Sequence, residues 1–198
     1  MIGQAPLYPA TRGALAGLAL ATVLWGWWAQ GGDGPYRWWL SRSAGITAYS
    51  LLWLNVATGL LLSGRWLRQR LAPALVAQLH QTLSGMALGF SLFHALILAG
   101  DRYLHLASTL WVGAGQLSLG LLGALILSSQ LRKRLGNRAW RAIHLTAYGA
   151  YWMALAHALA VGTDSDRLSI FYLCTGGSVL WLTTARILRS ASEVRRAR

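Results

Sequence analysis

The chain has 198 residues, of which 55% are hydrophobic and 12% charged, with a formal net charge of +13. Its mean hydropathy is +0.43. With one cysteine, Cys174, it can form no internal disulfide, and it lacks the C-x-x-C-H pattern for covalent haem attachment. The cations fall in short connections between apolar runs rather than on a basic domain with base-reading surfaces, which excludes nucleic acid as a partner.

The apolar residues gather into six runs, each near the ~20 residues that carry a helix across a bilayer. They are Gly13–Ala29, Gly45–Leu62, Ala74–Ala99, Ser108–Ser129, Ala142–Val161 and Leu168–Leu188. Arg12 ahead of the first run imitates a signal peptide. Trp25, Trp27 and Trp28 crowd the place where small residues would mark cleavage, so the run is read as a span. Many of the eleven tryptophans fall at span ends, among them Trp38, Trp39, Trp66 and Trp140, where amphipathic rings favour the membrane interface.

Arg12, the Arg65–Arg70 and Arg132–Arg141 connections and the arginines from Arg186 onward all fall on one side. The other side has Arg37, Arg42, Arg102 and Arg167 beside Asp33, Asp101, Asp164 and Asp166. Lys/Arg bias marks the cytoplasmic face. The expected fold is therefore an all-α membrane bundle of six helices over residues 1–189, with both termini cytoplasmic and a basic tail over 190–198. The expected location is a bacterial inner (cell) membrane, with lipids as the first partner. Cys174, inside the sixth span, is expected to be a buried, inert thiol.

Ionisable residues within spans are costly, so each one is a functional candidate. The third span carries His80 and His94; the fifth, running the same way, carries His144 and His157. At ~1.5 Å per residue these pairs lie ~21 and ~20 Å apart along their helices. The result is two levels, each with one imidazole from each helix: His80 with His144 inside, His94 with His157 outside. Such a level can hold a flat ligand between two imidazoles, as in bis-histidine haem b. Magnesium of a chlorophyll or a transported metal ion are the rival ligands. Transport is disfavoured, because no span contains Asp or Glu.

Fourteen residues return to within about 40° of the starting helix face, but thirteen miss it by about 140°. The fifth span is therefore expected to contain an irregularity near Gly149, such as a π-bulge, or to present its ligands at different rotations. Gly85 and Gly89 lie between the histidines of the third span. They serve either the approach of a flat group or ordinary helix packing. Phe90, Tyr148, Tyr151 and Trp152 are read as apolar filler between the levels. His105, near Asp101 and Arg102, is read as solvated and excluded from the site.

Six spans with His80/His94 and His144/His157 resemble the ferric reductase-like transmembrane domain family, which includes NADPH oxidases, ferric reductases and the haem-bearing membrane subunit of a bacterial methionine sulfoxide reductase system. The resemblance covers about Leu40 to Arg189. The stretch LSRSAGITAYSLLWLNVATGLLLSGR, Leu40 to Arg65, is similar to that family's second span, which carries an arginine near its outer start. The resemblance implies two non-covalent b haems, the inner on His80 and His144 and the outer on His94 and His157, with Arg42 near an outer-haem propionate. For Arg42 the residues themselves leave open an arginine that snorkels to lipid phosphates. Leu98 stands where NADPH oxidases often carry another histidine, which argues against a dedicated superoxide producer.

No flavin or NADPH site is read in the chain. The expected donor is a separate cytoplasmic flavoprotein reductase or quinol, and the expected acceptor an outer-face protein or small molecule. Membership of a larger membrane complex is a further expectation. The other functional class is a pigment-binding or structural subunit of such a complex.

Overall fold

A computed structural model describes residues 13, 17, 36–63, 73–99 and 109–196. These residues are helical apart from short turns, with no strand among them. The five helices are α1 (Tyr36–Ser63), α2 (Pro73–Leu98), α3 (Thr109–Gln130), α4 (Arg132–Val161) and α5 (Ser169–Arg196). Three are long and apolar enough to cross a membrane: Trp38–Leu61, Ala74–Leu98 and Leu110–Gln130. α4 and α5 carry more polar and aromatic residues and are not among the three. Most of the first expected span, with its tryptophans, lies outside the described residues, as do Arg65–Arg70 and Asp101–His105.

Contacts across the helices set their directions. His94 and His80 of α2 meet Ser41 and Asn55 of α1 respectively, so α1 and α2 are antiparallel. His157 meets Trp111 and Trp140 meets Ser129, so α3 and α4 are antiparallel too. Tyr49 and Trp53 of α1 reach Thr175 and Ser178 of α5, which makes those two parallel. α1 packs chiefly on α2, and α3 on α4.

One core joins all five helices: Tyr49, Leu52 and Val56 meet Ala87, Leu122, Tyr151, Leu155, Tyr172 and Val179. The hydroxyls of Tyr49, Tyr151 and Thr175 are satisfied within it, as a water-poor interior requires. Tyr49 Oη lies 2.7 Å from Thr175 Oγ1 and 3.1 Å from Tyr151 Oη. Thr175 Oγ1 donates back to Phe171 O at 2.9 Å. Tyr148 and Trp152 pack against this core, and Phe90 against a smaller cluster of Ala44, Phe93 and Ile97. All four aromatics expected between the levels thus act as packing.

α5 turns large apolar side chains outward: Ile170, Leu173 and Trp181 are 75%, 74% and 69% exposed. Cys174 is exposed on the same helix, not buried as expected. The sequence places it within an apolar run but does not indicate which face of α5 turns outward. The basic connection after α3 is itself helical. α4 starts at Arg132 and bends at Gly136, whose φ of 77° favours glycine. α5 likewise runs on to Arg196, so most of the basic tail continues that helix.

Gly85 and Gly89 are used for helix packing. Gly13 and Gly17, both helical, lie against them: a Cβ on Gly17 would sit 2.9 Å from Gly89 Cα, and one on Gly13 3.3 Å from Thr82 O. Four small residues spaced i, i+4 on facing segments let two backbones touch, as in close membrane-helix crossings.

Candidate functional site

Parallel α2 and α4 bring the four histidines into the two expected pairs. The His80 and His144 ring centroids lie 6.2 Å apart, and those of His94 and His157 6.3 Å. The rings are inclined at 57° and 78°. Imidazole–metal bonds of about 2 Å place two ring centroids about 6 Å apart across one shared metal atom. The spacing at both levels therefore fits a single axially ligated metal. Among the described residues no three His, Cys, Asp or Glu side chains converge on a metal position. Two imidazoles at such a spacing could hold a metal that brings further ligands of its own.

Three of the four rings are fixed by a backbone carbonyl. Nδ1 of His94 lies 2.9 Å from Ser41 O, Nδ1 of His80 3.1 Å from Asn55 O, and Nδ1 of His157 2.8 Å from Trp111 O. A carbonyl only accepts, so each Nδ1 carries the proton and donates, which leaves the lone pair on Nε2, where it could ligate a metal. This is the outer-shell arrangement that orients metal-bound histidines.

Each carbonyl is reachable because the residue four positions later is glycine. Cβ atoms tilt toward a helix's N-terminus, so the side chain at i+4 overlies the carbonyl of i. Here the pairs are Ser41 with Gly45, Asn55 with Gly59 and Trp111 with Gly115. A Cβ on Gly45 would lie 3.0 Å from His94 Nδ1, on Gly59 3.2 Å from His80 Cε1, and on Gly115 2.8 Å from His157 Nδ1. These six positions were missed in the sequence. One signal was available: Ser41–Gly45 and Asn55–Gly59 repeat after fourteen residues, the spacing of His80 and His94.

His144 differs. Its Nδ1 is buried and has no hydrogen-bond partner among the described residues. Its ring stacks on Trp140 at 4.8 Å and 28°, and the Arg132 guanidinium lies 4.1 Å from the same indole's centroid. The expected irregularity at Gly149 is absent: α4 is α-helical from Asn137 to Val161, and its bend at Gly136 precedes both histidines. The mismatch of thirteen residues is taken up by the side chains, with a different ring angle at each level. His157 leans on α3, and His144 lies along its own helix over Trp140.

A cavity of about 230 Å³ opens at the His94/His157 level, lined by these two and by Tyr49, Gln116, Arg42 and Asp164 among others. The Arg42 guanidinium forms a two-point ion pair with Asp164, with Nε donating to Oδ2 at 2.7 Å. Asp164 lies in the α4–α5 turn, seven residues beyond His157. The sequence alone shows it only as a charge in a short connection.

The hydrogen bonds from Arg42 hold the Asp164 carboxyl below the usual carboxylate range. A carboxylate with a depressed folded-state pKa adds stability above its unfolded value of about 4 and loses it as pH falls through the folded value. The thermal advantage of wild type over Asp164→Asn in detergent should therefore stay level from neutral pH to about 5 and shrink below about 4. An advantage that disappears between pH 8 and 6 would contradict the pairing.

Fold and site together define an all-helical protein with helices able to span a membrane and two stacked bis-imidazole levels. Compared with known protein families, curated proteins and solved structures, the chain matches none.

Proposed function

We propose that the chain is a six-span, di-haem b electron-transfer protein of the bacterial inner membrane, with both termini cytoplasmic. It would pass electrons from a cytoplasmic flavoprotein or quinol to an acceptor at the outer face. The observation that carries this reading is the pair of 6.2 and 6.3 Å imidazole spacings, with three rings tied through Nδ1 to backbone carbonyls. The two-sided ligation also favours haem over chlorophyll magnesium, for which one axial imidazole suffices.

The six-span count draws support from the lipid-like exposure of Ile170, Leu173 and Trp181 on α5, and from the helical Gly13 and Gly17 against α2. The orientation draws support from charge. Exposed Arg132, Lys133, Arg134, Arg138 and Arg141 lie at the His80/His144 end, and Asp164 at the His94/His157 end. That matches the excess of cations on cytoplasmic loops.

Haem iron supplies one-electron chemistry, cycling between ferric and ferrous states. His80 and His144 would hold the inner group, His94 and His157 the outer. Ser41, Asn55 and Trp111 orient three of the ligands and raise their basicity by accepting from Nδ1. Trp140 contacts both Arg132 and His144, which would give an aromatic link from the donor side to the inner level. Arg42 and Asp164 border the outer cavity, where an acceptor would approach.

Reconstitution in liposomes tests the function. Haem-loaded protein should carry electrons from external dithionite to trapped ferricyanide well above the rate of protein-free vesicles, and His94→Ala should abolish the gain. A rate equal to that of empty vesicles, in a preparation holding both haems, would rule out transmembrane transfer.

A further inference from the structure

Three histidines share one device: Nδ1 donates to the carbonyl of a residue whose i+4 neighbour is glycine. Continuing the register along α3, fourteen residues past Trp111 and Gly115, reaches Leu125 and Ser129. This is the part of α3 that faces His144, because Trp140, stacked on His144, reaches Ser129 Oγ at 3.3 Å. The device is blocked there. Ser129 has a side chain where Gly115 has none. Leu125 O already accepts from Ser128 Oγ and Ser129 Oγ, each at 2.9 Å. His144 Nδ1 is accordingly buried without a partner among the described residues.

We propose that His144 is a displaceable axial ligand, and that the inner level therefore binds a small neutral diatomic ligand of the carbon monoxide class on its α4 side. The inference rests on the haem reading given above. An imidazole whose Nδ1 donates to a carbonyl is more basic and fixed in rotation, and loss of such a partner weakens metal binding about 10- to 100-fold. His80, His94 and His157 have that support; His144 has only the face of Trp140. The stack also gives the detached ring a place to rest. In the exchange the iron–Nε2 bond breaks, its electron pair stays on the imidazole, and an iron–carbon bond forms. No electron or proton is transferred.

The test is titration of the dithionite-reduced, full-length protein with carbon monoxide, after its haem content has been counted. The expected result is one carbon monoxide adduct per two haems in wild type. His144→Ala should retain a single adduct and bind more readily, because the inner position is then open. Ser128→Ala combined with Ser129→Gly, which frees the Leu125 carbonyl, should slow adduct formation about tenfold or more. Two haems with no adduct overturns the proposal. So does a second adduct appearing in His144→Ala, since the wild-type adduct would then belong to the outer level. Should His144→Ala lose its inner haem, an unslowed serine double variant overturns the proposal by itself. Absence of haem from wild type defeats the underlying function instead.

Discussion

Replacing His157 with alanine is expected to remove one haem of two and leave the other spectrally unchanged. On the proposed reading the outer level would be held by His94 and His157, 6.3 Å apart between ring centroids, and no other His, Cys, Asp or Glu among the described residues joins them in a group of three. Loss of either should therefore empty that level. The inner pair, about 20 Å away along the helices, has its own support, His80 resting on the Asn55 carbonyl, and should keep its group. The prediction is one haem per chain in His94→Ala and in His157→Ala, with the same surviving spectrum in both. His80→Ala should leave the complementary spectrum. If His94→Ala and His80→Ala lose the same species, the pairing into levels is wrong.

The second large effect comes from a residue with no chemistry of its own. Gly115→Val should empty the outer level nearly as fully as loss of His157. Even the first added carbon would lie 2.8 Å from His157 Nδ1, closer than such atoms approach. The ring must then move off Trp111 O, losing the 2.8 Å bond that sets its tautomer and direction. Gly115→Ala should shift the outer-haem spectrum and potential, and Gly115→Val should remove that haem. Gly120 and Gly123 of the same helix are the controls, since a Cβ on either meets nothing within 4 Å. Alanine at those two positions should leave both haems in place. Equal effects at Gly115 and Gly120 would show that only general helix packing had been disturbed.

The periodic part of this fold is legible in the sequence. Apolar runs, the small-residue pairs and the matched histidine spacings all follow from repeats along a helix, and helix geometry converts such repeats directly into position. Relations between helices were harder to read. That Gly85 and Gly89 meet Gly13 and Gly17 depends on which neighbour α2 chooses, and the pattern fits a cofactor equally well. The helical nature of Arg132–Arg141 was hidden because charge suggests a loop, although a basic segment at a membrane surface can stay helical with a single glycine bend. The pairing of Arg42 with Asp164 has no trace in the spacing, because it depends on the α4–α5 turn returning a carboxylate to the end of α1. The carbonyl acceptors were the least visible, since a backbone oxygen has no letter in the sequence. Their only trace is the glycine four residues later.

The central claim is that two histidine levels each hold one non-covalent b haem. The most direct measurement is a reduced-minus-oxidised absorption spectrum of the purified chain, with acid–acetone extraction and pyridine quantification of what it carries. The account predicts b-type bands, complete release of the pigment into the organic phase, and two haems per chain. A far-red band insensitive to dithionite, or protein that folds and remains colourless after haem is supplied, would contradict it.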